Sequence, residues 1–425
     1  MLALTGFLTI VTVLLAIVSK RLSPLVALVA IPVAGALIAG EGMAVPGYMV
    51  QGITAIAPVA VMFMFAILFF GIMNDNHVFT PFINGVLKVC GSDPRKLFTG
   101  VVLITALVHL DGSGASTFLI VIPAVLPVFV TLNIERKKLA ALVAMSAGVN
   151  NMLPWGGPTI RAAAALDIPV MELYAPVLPV HLSGFAFVLL IAYWMGHKER
   201  LKQNAITSTS ITSAQQTRRA DVKWFINIAL IVIVISAIVA SLLPPVVAFT
   251  GGALAALLIN APSQEAQKKT IDNHAAPVFM MVSILFAAGC FTGVLKHSGM
   301  LDAMASSGST LLPEALTGNM PLVVAVLSMP LGLLFDPDSF YFGIMPVLAG
   351  IAAESGLPAV SVAHGALLGQ MTTGFPVSPL TPATFLLIGL TQISLADHQR
   401  YALPLLAGVS LFMTLVAVLL GVIPL

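Results

Sequence analysis

The chain has 425 residues, of which 59% are hydrophobic and only 8% are charged, and its mean hydropathy is +1.04. A soluble domain carries about 25% charged residues, so this composition excludes an ordinary soluble protein and predicts a polytopic membrane protein. The net charge of +2 is too thinly spread for a surface that tracks phosphates, which excludes a nucleic-acid partner. The two cysteines, Cys90 and Cys290, lack metal-ligand spacing and are interpreted as small packing residues.

Apolar segments long enough to cross a bilayer recur along the whole chain, given that a crossing helix needs about 20 residues. The predicted spans are 2–19, 23–40, 53–73, 139–165, 174–196, 224–243, 246–261, 276–295, 359–392 and 402–424. Two of these, 139–165 and 359–392, are too long and too interrupted to be one plain helix. We therefore predict a broken helix in each of them.

Two further apolar regions, 98–131 and 320–353, carry polar groups in their middle. The first contains the segment from His109 to Phe118, and the second contains the segment from Phe335 to Tyr341. Ionisable groups at membrane depth cost roughly 2.5–3.5 kcal/mol each, so they are functional candidates. We predict two re-entrant hairpins. Each enters and leaves the membrane on the same side, and its polar tip lies near the middle of the bilayer.

The distribution of basic residues supports this threading. If the N-terminus lies outside and both hairpins are re-entrant, nearly all of the 19 lysine and arginine residues fall in inside loops. The first apolar run is followed, and not preceded, by Lys20 and Arg21, which argues against a cleaved signal peptide. Both termini are therefore predicted to lie outside.

The second half of the chain repeats the first at an offset of about 222 residues. The aligned pairs include Pro58 with Pro277, Asp111 with Asp336, Pro123 with Pro346 and Pro154 with Pro376. We predict a first repeat over 1–197, a flexible linker over 198–223 and a second repeat over 224–425. Each repeat holds five spans and one hairpin, and because five is odd the two repeats have opposite orientations.

Hairpin tips and helix breaks leave backbone groups without helical partners, so they must line a cavity enclosed by protein. Helix N-termini in such a cavity attract carboxylates, and glycines let the backbone approach a ligand. This predicts a binding site for a small polycarboxylate, in which Arg161 either clamps a carboxylate or extends to the membrane interface. The candidate binding residues are Asp111, Gly112, Ser113, Gly114, Ser116, Thr117, Asn150, Asn151, Gly156, Gly157, Thr159, Arg161, Asp338, Ser339, Thr372, Thr373, Ser378 and Thr381.

Three aspartates, Asp111, Asp336 and Asp338, are the candidate metal contacts. Opposite the single Arg161 they would repel a bare trianion, but they would accept a proton or an anion that already carries a divalent cation. Oxygen ligands favour hard cations such as Mg²⁺ or Ca²⁺. We expect the metal to arrive chelated by the substrate, with no permanently bound cofactor. Asp111 is also interpretable as a hairpin cap.

These residues resemble those of the citrate–divalent metal–proton symporters, the CitMHS family of the ion transporter superfamily, along essentially the whole chain. The strings that carry the resemblance are Leu-Asp-Gly at 110–112, Pro-Trp-Gly-Gly at 154–157 with Arg-Ala-Ala at 161–163, Phe-Tyr-Phe-Gly-Ile-Met-Pro at 340–346, Ser-Pro-Leu-Thr-Pro at 378–382 and Asp-His-Gln-Arg at 397–400. The resemblance implies a homodimer in which a transport domain moves as an elevator against a scaffold domain. It also implies proton-coupled import of citrate complexed with a metal ion, in the bacterial inner membrane.

Both hairpin tips depart from the family pattern. The family usually reads Asp-Gly-Asp-Gly-Ser-Thr-Thr at the first tip, whereas residues 111–117 read Asp-Gly-Ser-Gly-Ala-Ser-Thr. Relatives tend to read Ser-Asn-Asp-Ala at the second tip, whereas residues 336–339 read Asp-Pro-Asp-Ser. One acid is lost and one is gained, which leaves open the metal and the choice between citrate and another di- or tricarboxylate.

Two other functions remain open from the residues alone. A cation/proton antiporter on the same architecture would use the aspartates to bind Na⁺. An intramembrane aspartyl protease would use Asp111 and Asp336 as a catalytic dyad, but it has no need for paired proline breaks. No other nucleophile and base are evident, so we expect a non-enzyme with no catalytic residues.

Overall fold

A computed structural model describes residues 1–19, 21–203, 221–240 and 242–424. Within these residues the chain forms twenty α-helices, joined in places by short 3₁₀ or π-helical segments, and no β-strand. A helix satisfies its own backbone N–H and C=O groups, which is the condition for crossing hydrocarbon. The all-α prediction is therefore confirmed.

The first half contains α1 (Leu2–Val18), α2 (Pro24–Ile38), α3 (Val45–Asp75), α4 (Thr80–Cys90), α5 (Pro94–Val108), α6 (Gly114–Thr131), α7 (Arg136–Asn150), α8 (Gly157–Leu166), α9 (Val170–Tyr174) and α10 (Leu178–Gln203). The second half contains α11 (Val222–Val239), α12 (Pro245–Asn260), α13 (Gln264–His297), α14 (Met300–Leu311), α15 (Glu314–Thr317), α16 (Met320–Leu331), α17 (Met345–Glu354), α18 (Ala359–Leu367), α19 (Pro382–Thr391) and α20 (Leu395–Leu419). Many begin with a proline in the first turn or with a capping side chain such as Asp93 or Ser394.

Six helical segments of the described residues are long and apolar enough to cross a membrane. They are Val45–Asp75, Gly114–Thr131, Val170–Lys202, Val222–Val239, Gln264–His297 and Leu395–Leu419. The shorter apolar helices include parts of the second hairpin and of the second helix break, but also α1, α2 and α12, which were predicted as full spans. Conversely, α6 of the first predicted hairpin is among the six segments long enough to cross.

Apart from the short helices α9 and α15, the helices of the two halves follow the same order. Each begins with two helices, one long helix (α3 or α13) and one short helix (α4 or α14). Each then continues with a helix pair joined by a polar turn, two short helices separated by a break, and a final long helix (α10 or α20). This order is that of an internal repeat, while the opposite orientation of the two repeats stays a prediction.

The hairpin predicted at 98–131 is formed by α5 and α6. The ring of Phe98, near the start of α5, stacks on the ring of Phe129, near the end of α6, with centroids 5.4 Å apart. The chain therefore returns to the side from which it came. The hairpin predicted at 320–353 consists of α16, a turn, the π-helical segment Ser339–Ile344 and α17, and both helices pack against α18.

Both predicted helix breaks are present. In the first half, α7 ends at Asn150 and α8 begins at Gly157. In the second half, α18 and α19 are separated by residues 368–381, which include the 3₁₀ turn Phe375–Val377. Proline lies within or just after each break, where its missing N–H and fixed φ prevent a continuous helix.

The structure differs from the prediction in three ways. First, the spans predicted at 53–73 and 276–295 belong to the longer helices α3 and α13, whose first turns contain polar residues or glycine and therefore fall outside the apolar runs. Helices α4 and α14 were missed because they are too short to cross a membrane. Helix α10 continues to Gln203, into the predicted linker, and residues 204–220 of that linker lie outside the described residues.

Helices α3 and α13 pack along each other and join the two halves. At their closest point a Cβ atom added to Gly52 would lie 1.9 Å from the carbonyl oxygen of Gly289, and one added to Gly293 would lie 2.8 Å from Gly52 Cα. Small residues of this kind let two membrane helices approach backbone to backbone.

Candidate functional site

The first hairpin tip is closed by Asp111. Its Oδ1 accepts a hydrogen bond from the backbone N–H of Ser113 at 2.8 Å, and its Oδ2 accepts hydrogen bonds from the Ser116 hydroxyl and, at 3.3 Å, from Asn74 Nδ2. Gly112 provides the left-handed conformation that the turn requires, with φ of +68°. The carboxylate therefore stabilises the tip turn, whereas the N-cap of α6 is Ser113, whose hydroxyl accepts a hydrogen bond from the backbone N–H of Ser116.

Asp336 has the same role at the second tip. Its Oδ1 accepts hydrogen bonds from the backbone N–H groups of Asp338 and Ser339, both at 3.1 Å, and its Oδ2 accepts one from the Ser339 hydroxyl at 2.5 Å. The two aspartates that the repeat aligns share one contact, from Oδ1 to the backbone N–H two residues later. They differ in the second, because the serine hydroxyl bound to Oδ2 lies five residues later at the first tip and three residues later at the second. Asp338 is left to make a different contact.

Asp338 forms a buried ion pair with Arg161. The Nε atom of Arg161 donates to Asp338 Oδ1 at 2.7 Å, and the two residues are only 5% and 7% exposed. The Nη1 atom of Arg161 also donates to the carbonyl oxygen of Gly157 at 3.2 Å. The guanidinium therefore points into the protein and not toward a membrane interface, and it joins the broken helix of the first half to the hairpin tip of the second.

A second bridge between the halves passes through Asn151. Its Nδ2 donates to the carbonyl oxygen of Met371 at 2.6 Å, and its Oδ1 lies 3.3 Å from Nε2 of His109. The Nδ1 atom of His109, which is fully buried, lies 2.8 Å from the hydroxyl of Thr117. One amide thus connects the first hairpin tip, the first helix break and the second helix break.

Aromatic side chains hold the first tip from both sides. The ring of Phe375, in the second helix break, stacks with the rings of His109 and Phe118, each at a centroid distance of 6.2 Å. On the other side, Trp155 Nε1 donates to the carbonyl oxygen of Leu110 at 2.6 Å.

The second hairpin tip is attached to the second helix break by two hydrogen bonds. There, Tyr341 Oη donates to the carbonyl oxygen of Gln370 at 2.9 Å, and Gln370 Nε2 donates to that of Phe335 at 3.3 Å.

Several predicted residues lie at the breaks as expected, but their polar atoms bond to nearby backbone. Such bonds satisfy carbonyl and N–H groups that the interrupted helices leave free. These contacts are Asn150 Nδ2 to Ser146 O at 2.8 Å, Thr159 Oγ1 to Met152 O at 2.8 Å, Thr373 Oγ1 to Leu368 O at 3.5 Å, Leu380 N to Ser378 Oγ at 3.2 Å and Thr381 Oγ1 to Phe375 O at 2.6 Å.

The predicted glycines are sites of close packing. A Cβ atom at Gly114 would lie 2.8 Å from the ring of Phe375, and one at Gly156 would lie 2.1 Å from the carbonyl oxygen of Asn151. A Cβ atom at Gly157 would lie 2.9 Å from Nη1 of Arg161. In this structure these glycines therefore make room for the protein's own groups.

Some buried polar atoms near the tips and breaks lack a hydrogen-bond partner among the described residues. They include Asn74 Oδ1, Gln370 Oε1 and Thr372 Oγ1. Leaving such an atom unsatisfied costs about 1–3 kcal/mol, so each is a place where water or a polar ligand would bind favourably. Thr372 was predicted. Asn74 and Gln370 were not predicted as site residues. Two sequence signals could have identified them: Asn74 directly follows the apolar run 53–73, and Gln370 lies two residues before Thr372.

The three candidate metal-contacting aspartates do not form one cluster. Among the described residues, no group of three or more His, Cys, Asp or Glu side chains is arranged to hold a metal ion. Asp111 and Asp336 accept hydrogen bonds from their own tip turns, and Asp338 is paired with Arg161.

Paired hairpins and paired helix breaks, joined by buried polar contacts in a chain with several spanning helices, define a multi-pass membrane transporter. This class is confirmed by comparison with known proteins. The chain belongs to the citrate transporter family, CitMHS, whose model matches residues 13–374. The resemblance noted in the sequence is therefore correct, and the chain is a transporter and not an enzyme.

Curated relatives match the chain from end to end. It is 38% identical to the "Citrate transporter" of Bacillus subtilis (strain 168) over 427 residues, which covers 100% of both chains. It is 37% identical to the "Mg(2+)/citrate complex secondary transporter" of the same organism, covering 100% of this chain and 99% of that one. Among solved structures, the YdaH transporter of Alcanivorax borkumensis has a similar fold, with a TM-score of 0.63, 15% identity and coverage of 90% of this chain and 88% of that one.

Proposed function

We propose that this protein imports citrate as a complex with a divalent metal ion of the Mg²⁺ class, together with protons. The observation that carries the proposal is the buried pair of Arg161 and Asp338, which offers one positive and one negative group at the junction of the two halves. The relative named as a Mg(2+)/citrate complex secondary transporter supports this choice of cargo.

The ion pair of Arg161 and Asp338 would favour the metal–citrate complex over free citrate or a free metal ion. Opening the pair without replacing both partners leaves a buried charge, at a cost of about 3–5 kcal/mol. Free citrate would neutralise Arg161 but would be repelled by Asp338, whereas a free cation would neutralise Asp338 but would be repelled by Arg161. A chelate presents both charges, so a citrate carboxylate binds the guanidinium and the hydrated metal binds Asp338.

The unpartnered acceptors suit the same cargo. The oxygens Asn74 Oδ1 and Gln370 Oε1 require hydrogen-bond donors, and Thr372 Oγ1 can either donate or accept. The hydroxyl group of citrate and the waters on a hydrated Mg²⁺ are donors, because Mg²⁺ keeps several of its waters when it binds to proteins. A fully ionised citrate with one divalent cation keeps one negative charge, which a cotransported proton would cancel.

We propose that alternating access comes from sliding of the site-bearing elements against α3 and α13, in a homodimer. A cavity of about 120 Å³ lies between α3 and α13 on one side and α8 and α17 on the other, and it reaches Ala164, close to one turn beyond Arg161. The ion pair between Lys296 Nζ and Asp167 Oδ2, at 3.1 Å, bridges α13 and the end of α8 across the same gap. These are the surfaces expected to part and rejoin as the transport domain moves.

Uptake of radiolabelled citrate into proteoliposomes tests the cargo. We expect uptake that requires a divalent cation, is abolished by excess EDTA and is increased by an inward proton gradient. Citrate uptake that is unchanged by EDTA would exclude the metal complex as the cargo. Na⁺/H⁺ exchange in the absence of any organic anion would instead assign the site to a cation/proton antiporter.

A further inference from the structure

A second charged cavity, of about 390 Å³, lies between the start of α7, the end of α10 and the start of α20. Its charged lining residues are Lys137, Lys138, Lys198, Lys202, Glu135 and Glu199. Lysines outnumber glutamates by two, so the lining carries an excess of positive charge. At 1.5 Å per helical residue, Lys137 is about 21 Å along α7 from Asn151, so this cavity is separate from the cargo site.

The glutamates of the cavity are occupied by the lysines of α7. Lys138 Nζ lies 2.7 Å from Glu199 Oε2 and 3.0 Å from Glu135 Oε1, and Lys137 Nζ lies 2.5 Å from Glu135 Oε2. Hydrogen bonds from Lys137 and Lys138 lower the pKa of Glu135 to about 2, so it stays ionised. Among the ion pairs of the described residues, neither glutamate contacts Lys198 or Lys202, and the excess positive charge therefore lies on α10.

One face of α10 changes from apolar to basic along its length. Leu190, Trp194, Lys198 and Lys202 recur every four residues, so they lie on the same face of the helix. Leu190 is 66% exposed and Trp194 is 52% exposed, as expected of side chains that contact lipid and the membrane interface. The ammonium group of Lys198 lies 3.6 Å from the centre of the Trp194 ring, which fixes the position of that charge at the interface.

We propose that this cavity binds the headgroup of an anionic phospholipid. Lys198 and Lys202 would contact the phosphate, while Trp194 and Leu190 would contact the glycerol backbone and an acyl chain. Basic pockets between transmembrane helices on the cytoplasmic side recognise anionic headgroups in this way, and the positive-inside pattern predicts that this end of the protein is cytoplasmic. A soluble phosphate would need the lysines but would have no use for the apolar face that leads from them into the membrane.

Native mass spectrometry of the full-length transporter, with phosphatidylglycerol and phosphatidylethanolamine supplied in equal amounts, tests this site. We expect preferential retention of phosphatidylglycerol. The double variant Lys198→Gln/Lys202→Gln should weaken that binding by about fivefold for each lysine removed, since one basic side chain near an anionic surface contributes about 1 kcal/mol. The double variant Lys198→Arg/Lys202→Arg should retain it, because the charge is kept.

The matched control is Lys268→Gln/Lys269→Gln, which removes two exposed lysines from the first turns of α13, away from this cavity. This variant should bind phosphatidylglycerol as the native protein does. Equal retention of the two lipids, or unchanged phosphatidylglycerol binding in Lys198→Gln/Lys202→Gln, would overturn the proposal. Displacement of phosphatidylglycerol by inorganic phosphate would also overturn it, because the cavity would then be a site for a soluble anion.

Discussion

Arg161 and Asp338 are 177 residues apart in the chain, yet Nε of the arginine lies 2.7 Å from Oδ1 of the aspartate in a buried contact. The arginine comes from the second short helix of a break, and the aspartate comes from a hairpin tip in the other half. The contact therefore exists only when the two halves are assembled. The opposite charges of the two side chains neutralise each other, so the pair adds no net charge to the buried junction.

Breaking this pair from one side should destabilise the protein more than removing it entirely. Asp338→Asn leaves the guanidinium buried without a counter-ion, and we expect a loss of about 3–5 kcal/mol and no metal-dependent citrate uptake. In the double variant Arg161→Gln/Asp338→Asn much of the stability should return, whereas uptake should stay absent. Thermal unfolding of the detergent-solubilised protein and uptake in proteoliposomes measure the two effects. Citrate uptake by Asp338→Asn with the native metal profile would contradict this role.

Asp111 can be tested for a role beyond closing the tip turn, because an asparagine side chain can accept the same hydrogen bond from the backbone N–H two residues later. In Asp111→Asn the turn at the first hairpin should persist, and the midpoint of thermal unfolding should change little. If the charge of Asp111 takes part in binding the metal or the proton, citrate uptake should nevertheless fall by tenfold or more. Asp336→Asn is the matched comparison, since Asp336 also accepts hydrogen bonds from backbone N–H and serine groups of its own tip. Normal uptake by Asp111→Asn would leave that carboxylate with a role in the tip turn alone.

The sequence predicted the hairpins and the helix breaks because both follow from local chemistry. Aspartates and serines in the middle of an apolar region must be enclosed by protein, and clustered prolines interrupt a helix wherever it packs. The same reasoning placed Asp111, Asp336 and Arg161 at the tips and breaks, where the structure has them. The sequence repeat is supported by one shared contact, since Asp111 and Asp336 both accept a hydrogen bond from the backbone N–H two residues later.

The partners of these residues were not predictable from the sequence. A pattern along the chain gives the position of a polar group but not the element that faces it, so the pairing of Arg161 with Asp338 and of Asn151 with Met371 was missed. The sequence also did not show whether a polar side chain would bond to its own helix or to another element. Asn150 and Asn151 are adjacent and identical in type, but the helix turns the first onto its own backbone and the second across to the other half.

That difference between the two asparagines gives a sharp comparison. Asn151→Ala removes the donor to the Met371 carbonyl and the group facing His109, and we expect a loss of about 1–3 kcal/mol for the buried groups left unpaired. Citrate uptake should fall with it, because the two helix breaks lose their direct link. Asn150→Ala removes only a bond to the Ser146 carbonyl one turn earlier in α7, and it should lower stability by less. Equal effects of the two variants on thermal unfolding would contradict the bridging role of Asn151.

The crossing of α3 and α13 can be tested independently of the cargo. A methyl group at Gly52 would lie 1.9 Å from the carbonyl oxygen of Gly289, so Gly52→Ala forces the two long helices apart, and overpacking of this kind typically costs about 1–3 kcal/mol. Gly47→Ala is the control, because it lies in the first turns of α3 and a Cβ atom there meets no atom within 4 Å. Alanine is the better helix former, so Gly47→Ala should leave the midpoint of thermal unfolding unchanged or raise it slightly. If the two variants unfold at the same temperature, then the close approach at Gly52 does not hold the halves together. A lower midpoint for Gly52→Ala alone would show that the close approach of α3 and α13 stabilises the fold.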